Sequence, residues 1–146
     1  MRKKVMFDSN SFDKMNKDIH IIKKTKNEIE YYVTGIQVNE LARIPDKKEK
    51  TRINNFMNLC EINAKLVATP FTFDYIDFRQ LSFNISNAYD ELLNQNKSNK
   101  NDALIGATAI IEQCLLVTDD KRLQDKMKKL GYEAISYDEF IEQYVN

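Results

Sequence analysis

The sequence holds few residues that interrupt regular structure: three Gly and two Pro in 146 positions. Such a chain has few places where helices must stop, and a helix-rich protein is expected. Trp is absent, and His20, Cys60 and Cys114 are the only His and Cys residues. Without a Cys-x-x-Cys pair, that inventory argues against a structural zinc site, and both thiols read as reduced and structural. His20 stands in a Lys-rich stretch without a Ser or Cys motif beside it, which argues for a surface position rather than a catalytic triad. The longest apolar run, residues 103–111, falls well short of the roughly 20 residues a transmembrane helix needs. The basic start Met1-Arg2-Lys3-Lys4 is followed only by Val5-Met6-Phe7 before Asp8, too short for the apolar core of a signal peptide. A cytoplasmic location with no membrane partner is therefore expected. Net charge is missing as well, with 22 basic and 22 acidic residues. That balance excludes a protein that grips nucleic acid by bulk charge, but not one with local basic patches.

What is present is bulky core material, eight Phe and seven Tyr, in a chain of single-domain length (residues 1–146). Residues 3–7 read as a buried strand that stops at Asp8. Residues 12–24 have helical spacing through Phe12, Met15, Ile19 and Ile22. Residues 29–33, β-branched and aromatic, form a second strand. Thr34-Gly35-Ile36-Gln37 has the form of a capping box opening a helix that should end near Pro45. Residues 47–62 read as a charged helix with Ile53, Phe56, Leu59 and Cys60 on its buried side, and residues 66–68 as a brief strand. The aromatic stretch 71–83 has no clear assignment, residues 85–94 look helical, and residues 96–101 form a polar loop. A helix over 102–113 leads into a strand over 115–118. A basic helix over 120–130 is closed by Gly131, and residues 132–135 read as a last strand. Ser136 to Glu139 form a second capping box. Strands alternating with helices imply an α/β domain with a mainly parallel central sheet.

In such sheets, sites form at the carboxyl ends of the strands. Asp8, Asp119 and Asp120 follow strands there, Asp102 opens the long helix, and Glu40 lies in the helix after the second strand. Acids at helix starts are common for dipole reasons alone. Asp8 is different, because a carboxylate abutting a buried strand needs a partner. An all-carboxylate set with no His or Cys suits a hard divalent ion, Mg²⁺ or Mn²⁺, and with it phosphoryl chemistry.

Four segments, in order, resemble the motifs of PIN-domain nucleases: Val5 to Asn10, Thr34 to Leu41, Asn101 to Ala109, and Leu116 to Lys121. The resemblance implies a three-layer α/β/α sandwich and a Mg²⁺- or Mn²⁺-dependent ribonuclease, most similar to VapC-type toxins of toxin–antitoxin pairs. It also implies that Asp8, Glu40, Asp102 and Asp120 form the catalytic, metal-holding cluster. Ser9, Asn10 and Thr118 would orient those carboxylates by hydrogen bonds. Asp119, one position before the motif's acid, reads either as an extra ligand or as a solvated residue. Leu123 stands where an aromatic residue often follows the fourth motif, and Gly106 where Ala is usual. The implied partners are an RNA substrate, a protein antitoxin and a second copy of the chain.

Lys23-Lys24-Lys26, Lys47-Lys48-Lys50-Arg52 and Lys126-Lys128-Lys129 are candidate RNA-facing patches, or simply solvated helix faces. Phe71, Phe73, Tyr75 and Phe78 read either as base-stacking or as core residues. Asp8-Ser9-Asn10 lacks the Asp-x-Asp of a haloacid-dehalogenase-like phosphatase, and no mid-chain acid ends a central strand as in a response-regulator receiver. A non-catalytic PIN-like module that binds RNA or protein is the competing class.

Overall fold

The structure is a computed structural model. It describes residues 2–67 and 100–145, with Asp46 and residues 100–103 described by backbone only. Strand β1 (Lys3–Phe7) leads through the turn Ser9–Ser11 into helix α1 (Phe12–Ile22). Strand β2 (Ile29–Thr34) runs directly into α2 (Gly35–Ala42), and α3 (Glu49–Glu61) precedes β3 (Lys65–Val67). Helix α4 (Lys100–Ile111), β4 (Leu115–Val117), α5 (Lys121–Lys129), β5 (Ala134–Ile135) and α6 (Tyr137–Phe140) follow, and a π-helical turn, Ile141–Val145, continues from α6.

The five strands form one parallel sheet in the order β3-β2-β1-β4-β5. Side chains alternate across its two faces, as the pleat requires. Met6, Tyr32 and Leu116 point into a core shared with Leu104, Ile105 and Ile110 of α4 and Leu123 and Met127 of α5. Val5, Phe7, Tyr31, Val33, Leu115 and Val117 point the other way, onto α1, α2, α3 and α6. Two cores on one sheet make the three-layer sandwich, and explain why Val5, Met6 and Phe7 of β1 and all of β4 are apolar. Phe7 anchors the second core, stacked on Tyr31 with ring centroids 5.6 Å apart and met edge-on by Phe140 at 5.2 Å.

From β1 the chain builds outward through β2 and β3, then crosses to build β4 and β5 on the other side. The order reverses between β1 and β4, and at such a switch point the carboxyl ends of two neighbouring strands open a crevice. Asp8 and Thr118 both lie there, one step beyond the paired residues Phe7 and Val117.

Several boundaries differ from the sequence reading. Helix α1 stops at Ile22 and tightens into a 3₁₀ turn, Lys23–Thr25, where the Thr25 hydroxyl donates to the Ile22 carbonyl at 2.6 Å. Helix α2 ends at Ala42, before Pro45, and α4 begins at Lys100 inside the expected polar loop. The last strand starts only at Ala134, because Gly131 and Tyr132 are used to close α5. The Gly131 and Tyr132 N–H groups donate to Lys128 and Met127, the paired bonds of a Schellman motif, with Gly131 at φ 85°.

The buried face of α3 also departs from expectation. Asn55, Asn58 and Leu59 are buried, whereas Ile53 is 46% exposed and Cys60 is exposed. The reason is polar pairing against α1: Asn55 Nδ2 donates to Asp13 Oδ1 at 3.3 Å, and Asn58 Nδ2 donates to Asn16 Oδ1. Lys126 is buried rather than part of a solvated patch. It shares the inward face of α5 with Leu123 and Met127, and its long aliphatic stem suits that position. His20 is exposed. The readings for residues 68 and 71–94, including Phe71, Phe73, Tyr75 and Phe78, and for the 96–99 part of the polar loop, lie outside the described residues. No helix among the described residues is long and apolar enough to cross a membrane.

Candidate functional site

Asp8 directly follows β1 and is 3% exposed. Its backbone N–H donates to the Val117 carbonyl at 2.8 Å, which holds it against β4. One carboxylate oxygen accepts from the Ser9 N–H at 2.8 Å and the other from the Thr118 hydroxyl at 2.7 Å. Burial pushes the Asp8 carboxyl above its ordinary value of 3.8; the bonds from Thr118 and Ser9 pull it back, and the charges of Asp120 and Glu40 push it up again. Asp120 and Glu40 are therefore each near enough to act on Asp8.

Thr118 connects two of them. While its hydroxyl donates to Asp8, the same oxygen accepts from the Asp120 N–H at 3.1 Å. Its carbonyl accepts from Gln124 Nε2 at 2.5 Å, which locks the β4–α5 turn. Asp120 is the N-cap of α5, and its Oδ1 accepts from the Arg122 and Leu123 N–H groups at 3.0 and 3.3 Å. One carboxylate oxygen thus closes the helix, and Oδ2 is not used in that cap.

Glu40 is placed by the start of α2. The capping box is formed, with the Gln37 N–H donating to Thr34 Oγ1 and the Thr34 N–H to Gln37 Oε1. Gln37, fully buried, also donates through Nε2 to the Phe7 carbonyl at 2.5 Å, fastening α2 to the end of β1. One turn on, Glu40 Oε2 accepts from the Ser9 hydroxyl at 2.8 Å. Ser9 therefore bonds to two acids, through its N–H to Asp8 and through its hydroxyl to Glu40.

Asp119 turns away from this group. It pairs with Lys14 and accepts from the Tyr137 N–H at 3.0 Å, tying α1 to the start of α6. Burial works against its charge, but the Lys14 bond, the Tyr137 N–H and the Lys14 charge outweigh it and hold the carboxyl below the usual range. Asn10 is exposed and has no described hydrogen bond to any of the carboxylates. Asp102 is the third residue of α4, with its side chain outside the described residues. Gln37 and Gln124 brace the site in ways the sequence reading missed. Gln37 was marked only by its capping-box position, and no pattern singles out Gln124.

Among the described residues no group of three or more His, Cys, Asp or Glu side chains is close enough to cage a metal ion. The donor set nevertheless suits one. A buried carboxylate bearing the repulsion of two others gains from a cation, and oxygen-only donors select Mg²⁺ or Mn²⁺ over softer metals. Beside Ser9 and Glu40 lies an open cleft of about 200 Å³ between α1, α2 and α3.

Comparison with known proteins follows the same lines. The family model described as PIN domain matches residues 14–130. The chain resembles the crystal structure of PAE2754 from Pyrobaculum aerophilum with a TM-score of 0.63 and 14% identity, covering 97% of this chain and 88% of that one. It also resembles a chain of VapBC2 from Rickettsia felis, solved bound to a DNA fragment from its promoter. There the TM-score is 0.60 and the identity 18%, covering 91% of this chain and 98% of that one. No curated protein matches.

Proposed function

The chain belongs to the PIN-domain family, and from that premise we propose that it is a metal-dependent endoribonuclease, the toxin of a toxin–antitoxin pair. The observation that carries the reading is Asp8: a carboxylate almost wholly buried at the β1/β4 switch point, with Asp120 and Glu40 near enough to raise its proton affinity. Asp8, Glu40, Asp102 and Asp120 are the residues that would hold Mg²⁺ or Mn²⁺. When bound, such an ion neutralises charge on phosphodiester oxygens and makes water a stronger nucleophile. The protein's own part is positioning. Ser9 and Thr118 hold the carboxylates in one arrangement through bonds of 2.7–2.8 Å, so little reorganisation is needed when the substrate binds.

Water adds to phosphorus in line with the departing 3′-oxygen, which leaves with a proton, so the products carry a 5′-phosphate and a 3′-hydroxyl. The acid cluster repels the substrate's phosphates, and attraction falls to exposed cations, for which Lys47, Lys48 and Lys50 are candidates. A protein antitoxin and a second copy of the chain are the proposed partners, in keeping with the VapBC2 likeness.

The test is incubation with a panel of tRNA and single-stranded RNA under Mn²⁺, Mg²⁺ or EDTA, beside Asp8→Asn and Asp102→Asn. Cleavage lost with EDTA and in both variants supports the assignment. Equal cleavage by all three proteins rejects it. No cleavage of any RNA, together with no metal binding by calorimetry, points to a binding module.

A further inference from the structure

An RNA held at the acid cluster must continue past the bond being cut, over a surface that tolerates its phosphates. We propose that the outer face of α1 carries the single-stranded RNA away from the site, on one side of the cut only. This path rests on the nuclease reading for its substrate and on the charge along α1 for its course.

Helix α1 starts at the site and leads away from it. The turn Ser9–Ser11 joins it to Asp8. Beyond its far end the chain returns to the start of β1, where the Lys3 N–H donates to the Glu28 carbonyl at 3.3 Å and Arg2 Nη1 to the Lys26 carbonyl at 3.2 Å. Lys17 and His20 of α1, and Lys24 of the 3₁₀ turn that continues it, are exposed. They follow one another at helical spacing, three and then four residues apart, and so share one face. Lys17 to Lys24 covers about 10 Å along the axis, enough to meet more than one phosphate of an extended strand. His20 adds N–H donors and a ring on which an unpaired base can stack.

The acids of α1 are engaged elsewhere. Asp18 accepts from the hydroxyl of buried Tyr137 at 2.8 Å, and Asp13 from Asn55 Nδ2 at 3.3 Å. Glu61 of α3 is met by Lys23 at 3.6 Å. That pair takes Lys23 out of the run Lys23-Lys24-Lys26, and the fold puts Lys17 and His20 in line with Lys24 instead. At the foot of the stripe Arg2 and Lys65 both pair with Glu30, so cations outnumber that acid. The helix dipole favours cations at the end of α1, which accounts for Lys24. It does not account for Lys17 in the middle of the helix or for Arg2 before β1. Cations in a line leading from a carboxylate cluster suit a polyanion whose reacting phosphate sits at the cluster.

The experiment compares cleavage in Mn²⁺ of a short oligoribonucleotide, spanning the bond preferred in the RNA panel, with the same oligomer lengthened by uridines on its 5′ or its 3′ side. Wild type should gain kcat/KM from lengthening on one side and not on the other. Lys17→Gln combined with Lys24→Gln should remove that gain. Lys128→Gln combined with Lys129→Gln, at the exposed basic end of α5, should keep it. Fluorescence anisotropy of the longer oligomer in EDTA reads binding without cleavage. Two lost phosphate contacts should make the slope of log affinity against log salt shallower by about 1.4, at about 0.7 per contact on a single strand. A gain on both sides or on neither, an unchanged slope, or an equal loss in the α5 variant overturns the track and leaves the nuclease reading intact. Absent cleavage of every oligomer, with the shallower slope in the α1 variant, overturns the nuclease reading and keeps the track. Unchanged RNA binding with lost binding of oligoglutamate in the α1 variant gives the stripe to an acidic peptide and overturns RNA as its occupant.

Discussion

The Thr118 hydroxyl donates to Asp8 Oδ2 at 2.7 Å, joining residues 110 positions apart in the chain. The contact exists because β1 and β4 are parallel neighbours in a register that pairs Phe7 with Val117. The following residues then meet at the open end of the sheet. Thr118→Val keeps the side chain's shape and removes the donor to Asp8 and the acceptor for the Asp120 N–H. A loss of about 10- to 100-fold in Mn²⁺ affinity or activity is expected, as for other groups that orient metal-holding carboxylates. Calorimetric titration of wild type and variant measures it, and unchanged affinity would remove Thr118 from the site.

Asp8 makes metal binding and stability respond to pH in opposite directions. Its folded-state pKa lies above the ordinary 3.8, so the folded protein binds that proton more readily than the unfolded chain does. Its contribution to the stability of the metal-free protein is fully present below 3.8 and is lost as pH rises through the folded value. Metal affinity instead falls as pH drops through that value, because proton and metal compete. Metal-free Asp8→Asn should gain stability relative to wild type as pH rises across this window. Denaturant unfolding at pH 3, 5 and 7 follows the difference; a constant offset would show that Asp8 is not perturbed.

Asp119→Asn separates the two adjacent acids. The folded Asp119 carboxyl is depressed, so its stabilising contribution is present above the ordinary value and lost as pH falls through the folded one. The variant should cost about 1 kcal/mol near neutral pH, from a weakened ion pair with Lys14 and a poorer acceptor for Tyr137. Its activity per folded molecule should match wild type, whereas Asp120→Asn should abolish cleavage. Inactivity of Asp119→Asn at unchanged stability would return Asp119 to the metal site.

Two substitutions examine the frame. Thr34→Ala removes the cap of α2 and should cost about 1 kcal/mol. Because α2 carries Glu40, the same change should also lower activity. Gly131→Ala meets no atom within 4 Å but must hold φ at +85°, and should cost about 1 kcal/mol through backbone strain alone. Thermal unfolding reports both; a neutral Gly131→Ala would show that the Schellman turn relaxes freely.

Most of the architecture was legible because its signals are local. The apolar runs Val5 to Phe7 and Leu115 to Val117 mark strands covered on both faces, and the capping boxes at Thr34 and Ser136 mark helix starts within four residues. On α3, Leu59 and Phe56 face the core as expected, but Ile53 and Cys60 do not, because periodicity scores Asn55 and Asn58 as solvent-facing. Only the polar side of α1, packed opposite, makes them the buried ones. Lys126 misleads in the same way, since its charge is visible in the sequence and the burial of its stem is not.

The sequence by itself determined which residues form strands and helices, and which acids stand at their ends, because propensity, periodicity and capping act over a few residues. The tertiary structure decided what each acid contacts. Asp119 and Asp120 are chain neighbours with the same side chain, yet one pairs with Lys14 and the other caps α5 and lies close enough to act on Asp8. The burial of Asp8, the two bonds of Ser9 and the link through Thr118 likewise depend on strand order and register. Those are set by packing two cores against one sheet, a long-range condition that no local stretch of sequence carries.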